Sequence, residues 1–182
     1  MMSAPRIVAV AQAFKETLAA RAVAAAYRDA ARALGEEARV FLGSDGGDDL
    51  LEALRHEVIR ETRHWVRGPV QDAILVRVGW LNQQEAVVES RLACGLSLIP
   101  MEARNPCRTT TRGLGELISA VAEAGAERVY VGLGGSGTMD GGLGMARAWG
   151  GEPRDEGGRL LGEGGGPLES LHRLQRGRVP PV

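Results

Sequence analysis

An apolar run of strand length, RVYVG at residues 128–132, passes directly into the glycine-rich stretch GLGGSGTMDGG (132–142) and then into a helical pattern, GLGMARAWG (142–150). A strand, a loop stripped of side chains and a helix in immediate succession restrict the chain to an α/β arrangement in which helices cover a sheet. The N-terminal region repeats that order. RIVAVA (6–11) reads as a strand, and residues 17–35 read as a helix capped by Thr17 and stopped by Gly35. ARVFL (38–42) reads as a second buried strand, followed by the loop GSDGGDD and a helix, DLLEALRHEVI, capped by Asp48.

Residues 61–95 change character. ETRHWVRGPV, AILVRVGW and EAVVES are strand-like and joined by short polar or Gly-Pro links, the pattern of antiparallel pairing in a second, inserted lobe. Helical punctuation returns with TTTRGLGELISAVAEAGA, where Thr109, Thr110 or Thr111 supplies the cap and Gly125 the stop. The expected fold is a Rossmann- or flavodoxin-like parallel α/β sheet, formed by residues 1–60 and 105–150, with the antiparallel segment at 61–95. From Gly150 to Gly166 the chain reads as loop or weak hairpin, and the closing LHRLQRGRVPPV offers neither strand nor helix. No internal repeat is present.

Charge and cysteine content narrow the function classes. With 22 basic against 23 acidic residues the formal net charge is -1, which gives no electrostatic reason to expect nucleic acid or an anionic membrane. No apolar run approaches the ~18 residues of a membrane span, and the N-terminus lacks a secretory pattern, so a cytoplasmic location is expected. Cys94 and Cys107 have no metal-type spacing and read as buried free thiols, while His56, His64 and His172 are scattered. Lys15 is the only lysine in the chain, a compact ammonium among arginines that a GC-rich genome alone would also favour.

Three polar loops fall where parallel strands end: AQAFKET, GSDGGDD and GLGGSGTMDGG. Ligands of open α/β sheets collect beyond those carboxyl ends, so loops distant in sequence can share one cleft. Glycines in such loops let a ligand approach backbone amides, which favour anions. The third loop lacks the lysine of a Walker loop. It satisfies G-x-G-x-x-G through Gly132, Gly134 and Gly137, but no strand ending in an acid follows about 20 residues on. Thr138 stands where a nucleophile elbow needs glycine. A phosphate cradle of Gly134, Gly135, Ser136, Gly137 and Thr138 remains, with Asp140 at its edge, against the alternative of a tight turn that binds nothing. Asp140 and Asp45 are expected to hold Mg²⁺ or to accept a proton, or else to serve as caps. Arg104 is expected to grip a substrate carboxylate or to form a surface pair.

On AFKETL, SDGGDD, RGPV, AVVESRLACGLSLIP, RNPCRTTTRGLGELI and GLGGSGTMDGGLGM, in that order, the chain resembles the type I glycerate kinases from Ile7 to about Gly150. The resemblance implies two α/β domains with the active site between them, and phosphorylation of D-glycerate with ATP and Mg²⁺. It implies Asp45, Asp140 and Lys15 as catalytic residues, the 134–138 cradle for nucleotide phosphate, and Arg104, Gly46 and Gly47 for substrate. It implies further that this is the N-terminal part of a longer two-domain protein, with little turnover on its own. A homodimer is compatible with this reading. Departures from the family's pattern are Gln12 in place of an acid, Glu16 in place of glycine, Asp48-Asp49-Leu50 in place of Glu-Gly-Thr, and Met139 in place of asparagine. The alternative is a non-catalytic small-anion or nucleotide-binding module of that lineage; a dinucleotide-dependent oxidoreductase is a more distant one.

Overall fold

The computed structural model describes residues 7–14 and 17–182. Strand β1 (Ile7–Ala11) pairs in parallel with β2 (Ala38–Leu42), Ile7 opposite Ala38 and Ala11 opposite Leu42. The crossover is α1 (Ala20–Ala33), an alanine-rich segment with high helix propensity. Its Val23 and Ala24 pack on Ala11, Val40 and Leu42. The period of two in a strand sends Val8, Val10 and Phe41 to the opposite face, where they are 64%, 65% and 51% exposed.

A second sheet carries the larger core. Strands β3 (Arg60–Arg67) and β4 (Ala73–Trp80) form an antiparallel hairpin. β5 (Glu85–Glu89) pairs antiparallel with β4 on one side and parallel with β6 (Arg128–Gly132) on the other, so one sheet holds both pairing modes. Val76, Val78, Trp80, Ala86 and Val88 from this sheet meet Leu117, Ile118 and Val121 of α4 (Arg112–Glu123). Each large apolar side chain buried there contributes about 1.5–3 kcal/mol. α5 (Leu143–Ala148) crosses α4 at Gly115, where a Cβ would stand 2.8 Å from the Met145 carbonyl oxygen. The Trp149 indole N–H donates to the Gly115 carbonyl at 3.0 Å.

The expected strands at 38–42 and 128–132 form with those bounds, and Gly35 (φ 72°) and Gly125 (φ 103°) follow the ends of α1 and α4 in the left-handed region. Other expectations need correction. α1 begins at Ala20, three residues after Thr17, which lies in a turn with its amide on the Phe14 carbonyl. The helix expected over 49–59 is only α2 (Leu50–Ala53), and Asp48 does not cap it. Val58 and Ile59 are drawn to the second sheet instead: the Ile59 amide donates to the Trp80 carbonyl at 2.8 Å, and β-branched residues pack well there. A short helix not foreseen, α3 (Arg91–Cys94), follows β5. β7 (Glu152–Arg154) and β8 (Arg173–Gln175) pair antiparallel, so a strand does form in the closing segment. Cys94 is buried, but Cys107 is exposed.

Candidate functional site

The carboxyl ends of β1, β2 and β6 converge on a cavity of about 260 Å³. Gln12 and Ala13 line it from the first loop, Asp45, Gly47 and Asp48 from the second, and Leu133, Gly134 and Gly135 from the third. Three loops more than 120 residues apart at their extremes thus share one cleft, although β6 belongs to a different sheet from β1 and β2. The second loop is shaped locally. The Gly46 amide donates to Ser44 Oγ at 3.1 Å and the Gly47 amide to Asp45 Oδ1 at 3.0 Å, the short side chains closing turns on their own backbone. Among the described residues no donor reaches Asp45 Oδ2.

Gly132 and Gly134 of the third loop are required to be small by the chain's own packing. A Cβ on Gly132 would overlap the Gly46 carbonyl oxygen, and one on Gly134 would overlap the Gly47 Cα. The two glycine loops pack backbone to backbone, and that contact builds one wall of the cavity. Gly137 is committed elsewhere: its amide donates to the Cys94 carbonyl at 2.9 Å, and a Cβ would press on Leu96 and Ile99. Ser136 forms an antiparallel bridge with Gly95. Of the 134–138 set, Gly134 and Gly135 line the cavity, and Ser136, Gly137 and Thr138 do not.

Asp140 is 1% exposed and lies at the centre of a hydrogen-bonded knot. Its Oδ2 accepts from the Thr111 amide (2.8 Å), Thr111 Oγ1 (2.9 Å), the Gly144 amide (3.0 Å) and, more weakly, Thr110 Oγ1 (3.4 Å). Its Oδ1 accepts from the Gly142 amide at 3.1 Å. The carboxylate therefore joins the glycine loop to the starts of α4 and α5, satisfying helix-end amides that have no partner within their own helix. Of the three candidate threonine caps, Thr110 takes the Arg112 amide on its hydroxyl at 3.2 Å. Nearby, burial and the Asp140 charge push the Cys94 thiol up to about 11, while a hydrogen bond with Thr138 pulls the other way.

Sequence reasoning missed the charged cluster beside the cavity. Glu89 is fully buried at the end of β5; its Oε1 accepts from the Leu51 amide at 2.7 Å and its Oε2 from Arg91 Nε at 3.0 Å. Arg91 Nε also lies 3.3 Å from Asp48 Oδ1, and its Nη2 3.9 Å from Asp49 Oδ1. An acid inside an otherwise apolar strand, AVVE, was the available signal, since a buried carboxylate needs partners. Arg104 is not brought to the cavity; its Nε donates to the Ile99 carbonyl at 3.3 Å. Lys15 lies outside the described residues. No group of three His, Cys, Asp or Glu side chains among the described residues is gathered for a metal ion, and no helix is long and apolar enough to cross a membrane.

The model of the glycerate kinase family matches residues 7–182. The chain belongs to the glycerate kinase family. It is 39% identical over 173 residues to a glycerate kinase of Bacillus subtilis (strain 168), covering 91% of this chain and 44% of that protein. It is 36% identical over 180 residues to a glycerate 2-kinase of Escherichia coli (strain K12), covering 97% and 47% respectively. Among solved structures, one assigned as glycerate kinase 2 from Salmonella typhimurium LT2 superposes with a TM-score of 0.72 at 34% identity, over 94% of this chain and 48% of that one. The chain thus spans about half the length of the relatives it matches.

Two departures from the glycerate kinase pattern now have a structural account. Asp49 stands where glycine is usual, and its φ is 61°, the left-handed region that glycine enters without a Cβ penalty. An aspartate holds that conformation here because its Oδ2 accepts the Ala20 amide, 2.9 Å away at the start of α1. Gln12 lies in the cavity wall, so an acid is replaced there by a neutral amide. Met139 is 71% exposed beside Asp140, and Glu16 lies outside the described residues.

Proposed function

We propose that the three-loop cavity is the phosphate-binding part of a glycerate kinase site, at which D-glycerate is phosphorylated with ATP. One observation carries this reading. The glycine backbones of Gly47, Gly134 and Gly135 and the carboxylates of Asp45 and Asp48 meet in a single cavity at the carboxyl ends of β1, β2 and β6. The names of the relatives point to the same chemistry.

The residues fit a magnesium ion at Asp45 and Asp48, because Mg²⁺ is commonly held by one or two carboxylates and completed by phosphate and water. They do not fit one at Asp140, whose two oxygens are engaged by five donors of the chain. Bound at Asp45 and Asp48, the ion would neutralise charge on the nucleotide phosphates. The chain's own part is positioning. Gly134 and Gly135 keep the cavity wall flat enough for phosphate oxygens to approach the backbone. Asp45, one oxygen anchored by the Gly47 amide, presents the other to the cavity, where it would help to hold the ion. Lys15, on the first loop by sequence, is the ammonium that meets charge developing on the transferred group. Asp140 serves by holding the loop in place, and Arg104 has no contact that favours a substrate role. The free thiols of Cys94 and Cys107 agree with action in the cytoplasm.

Calorimetric titration of the 182-residue chain with ATP, with and without Mg²⁺, tests the reading. Saturable binding that requires Mg²⁺ and weakens about tenfold or more in Asp45→Asn is the expected result. Binding of ATP that is indifferent to both Mg²⁺ and Asp45, or no binding, would overturn it. ATP consumption driven by D-glycerate, measured on the same protein, reads the chemistry directly.

A further inference from the structure

We propose that Arg91 is the positioning residue of this site: it ties the 45–49 loop to the glycine loop and so sets where Asp48 stands at the cavity. The inference rests on the cavity being a nucleotide site. Glu89, fully buried, fixes one side of the guanidinium through the 3.0 Å bond to Nε, while its other oxygen fixes the Leu51 amide. A buried carboxylate is tolerable only when paired in this way. The same guanidinium then reaches outward to Asp48 at 3.3 Å and Asp49 at 3.9 Å.

The aliphatic stem of Arg91 does the second half of the work. A Cβ placed on Gly135, the third-loop glycine with φ 58°, would stand 3.4 Å from Arg91 Cβ and 3.3 Å from Asp48 Oδ1. Arg91 and Asp48 therefore flank the glycine loop at one of its cavity-lining residues. Asp49 carries the tie onward, since its second oxygen holds the Ala20 amide of α1. The planar group engages Glu89, Asp48 and Asp49 while the stem lies against Gly135, a geometry that a lysine ammonium does not reproduce. A second cavity of about 240 Å³ adjoins the first, shares Ala13 and Asp48 with it, and has Arg91 in its wall.

Charge sharpens the point. Among the described residues Glu89, Asp48 and Asp49 surround a single guanidinium, so that cluster is anionic, and Asp45 adds to it at the cavity. A bare phosphate is repelled by such a wall, whereas a cation-complexed phosphate is accepted provided Asp48 is held at the right place. Arg91 supplies that placement rather than touching phosphate itself.

The test uses the full chain and the variants Arg91→Met, Arg91→Lys and the double variant Glu89→Gln/Arg91→Met, which leaves no buried charge unpaired. Amide hydrogen exchange without ligand is compared between residues 45–51 and 132–135 on one hand and α4 on the other. ATP·Mg²⁺ affinity is measured alongside. The expectation for Arg91→Met and the double variant is exchange faster by about tenfold in the two loops, unchanged exchange in α4, and nucleotide affinity lower by about tenfold. Arg91→Lys should not restore either. Uniform acceleration that includes α4, with wild-type behaviour recovered in the double variant, would make Arg91 a mere counter-ion and overturn the proposal. So would loops and affinity that do not change in Arg91→Met. If the wild-type chain binds no nucleotide, the kinase reading fails, and the exchange comparison alone still decides whether Arg91 ties the loops.

Discussion

At the scale of single residues, a carboxylate beside a glycine loop can ligate, catalyse or brace, and only its partners distinguish these. Asp140 and Asp45 look alike in sequence. Among the described residues Asp140 receives five hydrogen bonds and is shut away from solvent, whereas Asp45 receives one and lines the cavity. Asp140→Asn would set an amide NH₂ against the Gly142 amide or against the Thr111 donors. The expected result is a loss of about 1–3 kcal/mol in urea unfolding, the cost of buried donors left without acceptors. ATP affinity of the folded fraction should change little. Cys94 gives a pH-dependent counterpart. Burial raises its thiol from an ordinary 9.0 to about 11, so the folded state keeps it neutral where the unfolded chain ionises. Its stabilising contribution is complete below pH 9.0 and is lost as pH rises toward about 11. In native protein at pH 8, a thiol reagent should therefore modify exposed Cys107 rapidly and Cys94 only on unfolding.

At the scale of elements, several helix starts are completed from far along the chain. α1 has Ala19 at its cap position with no side-chain bond from it, and Asp49, 29 residues away, takes the Ala20 amide. Asp49→Ala removes that acceptor and leaves a Cβ in the left-handed region, whereas Asp49→Gly removes the acceptor but relieves the backbone. Chemical denaturation should find the alanine variant about 1 kcal/mol less stable than the glycine variant, with both below wild type. Equal stabilities would mean that the φ of 61° carries no strain. The same contrast explains what could be read in advance. The strands at 38–42 and 128–132 and the glycine stops of α1 and α4 were legible because their signals lie within a few residues. The length of α2 was not, because the second sheet claims Ile59 through Trp80, 21 positions away.

At the scale of the whole molecule, two sheets of different character are organised around the glycine loops. The antiparallel hairpin β3–β4 and the parallel pair β5–β6 share one sheet and one core, with α4 packed across it. The β1–β2 pair has a helix on one face and Val8, Val10 and Phe41 exposed on the other. Exposed apolar residues grouped on one sheet face favour association. Sedimentation velocity on the 182-residue chain should show concentration-dependent self-association, a homodimer or larger, that falls when Val10 and Phe41 are both replaced by threonine. A concentration-independent monomer would show that this face is tolerated in water.

The sequence by itself determined the α/β alternation and the three glycine-bearing or polar loops at strand ends, which could share one cleft. Those features depend on local periodicity, on turn-forming residues and on the general rule for parallel strands. Tertiary structure alone decided how the acids divide their duties. Asp140 became a brace because Thr111 and Gly144 converge on it, and Asp48 came under the hold of Arg91 because Glu89 anchors that guanidinium from the end of β5. The physical reason is that a carboxylate's role is set by the donors that reach it. The distant donors, the Thr111 amide for Asp140 and the Leu51 amide for Glu89, stand 29 and 38 residues away in the chain, beyond the range of any local pattern.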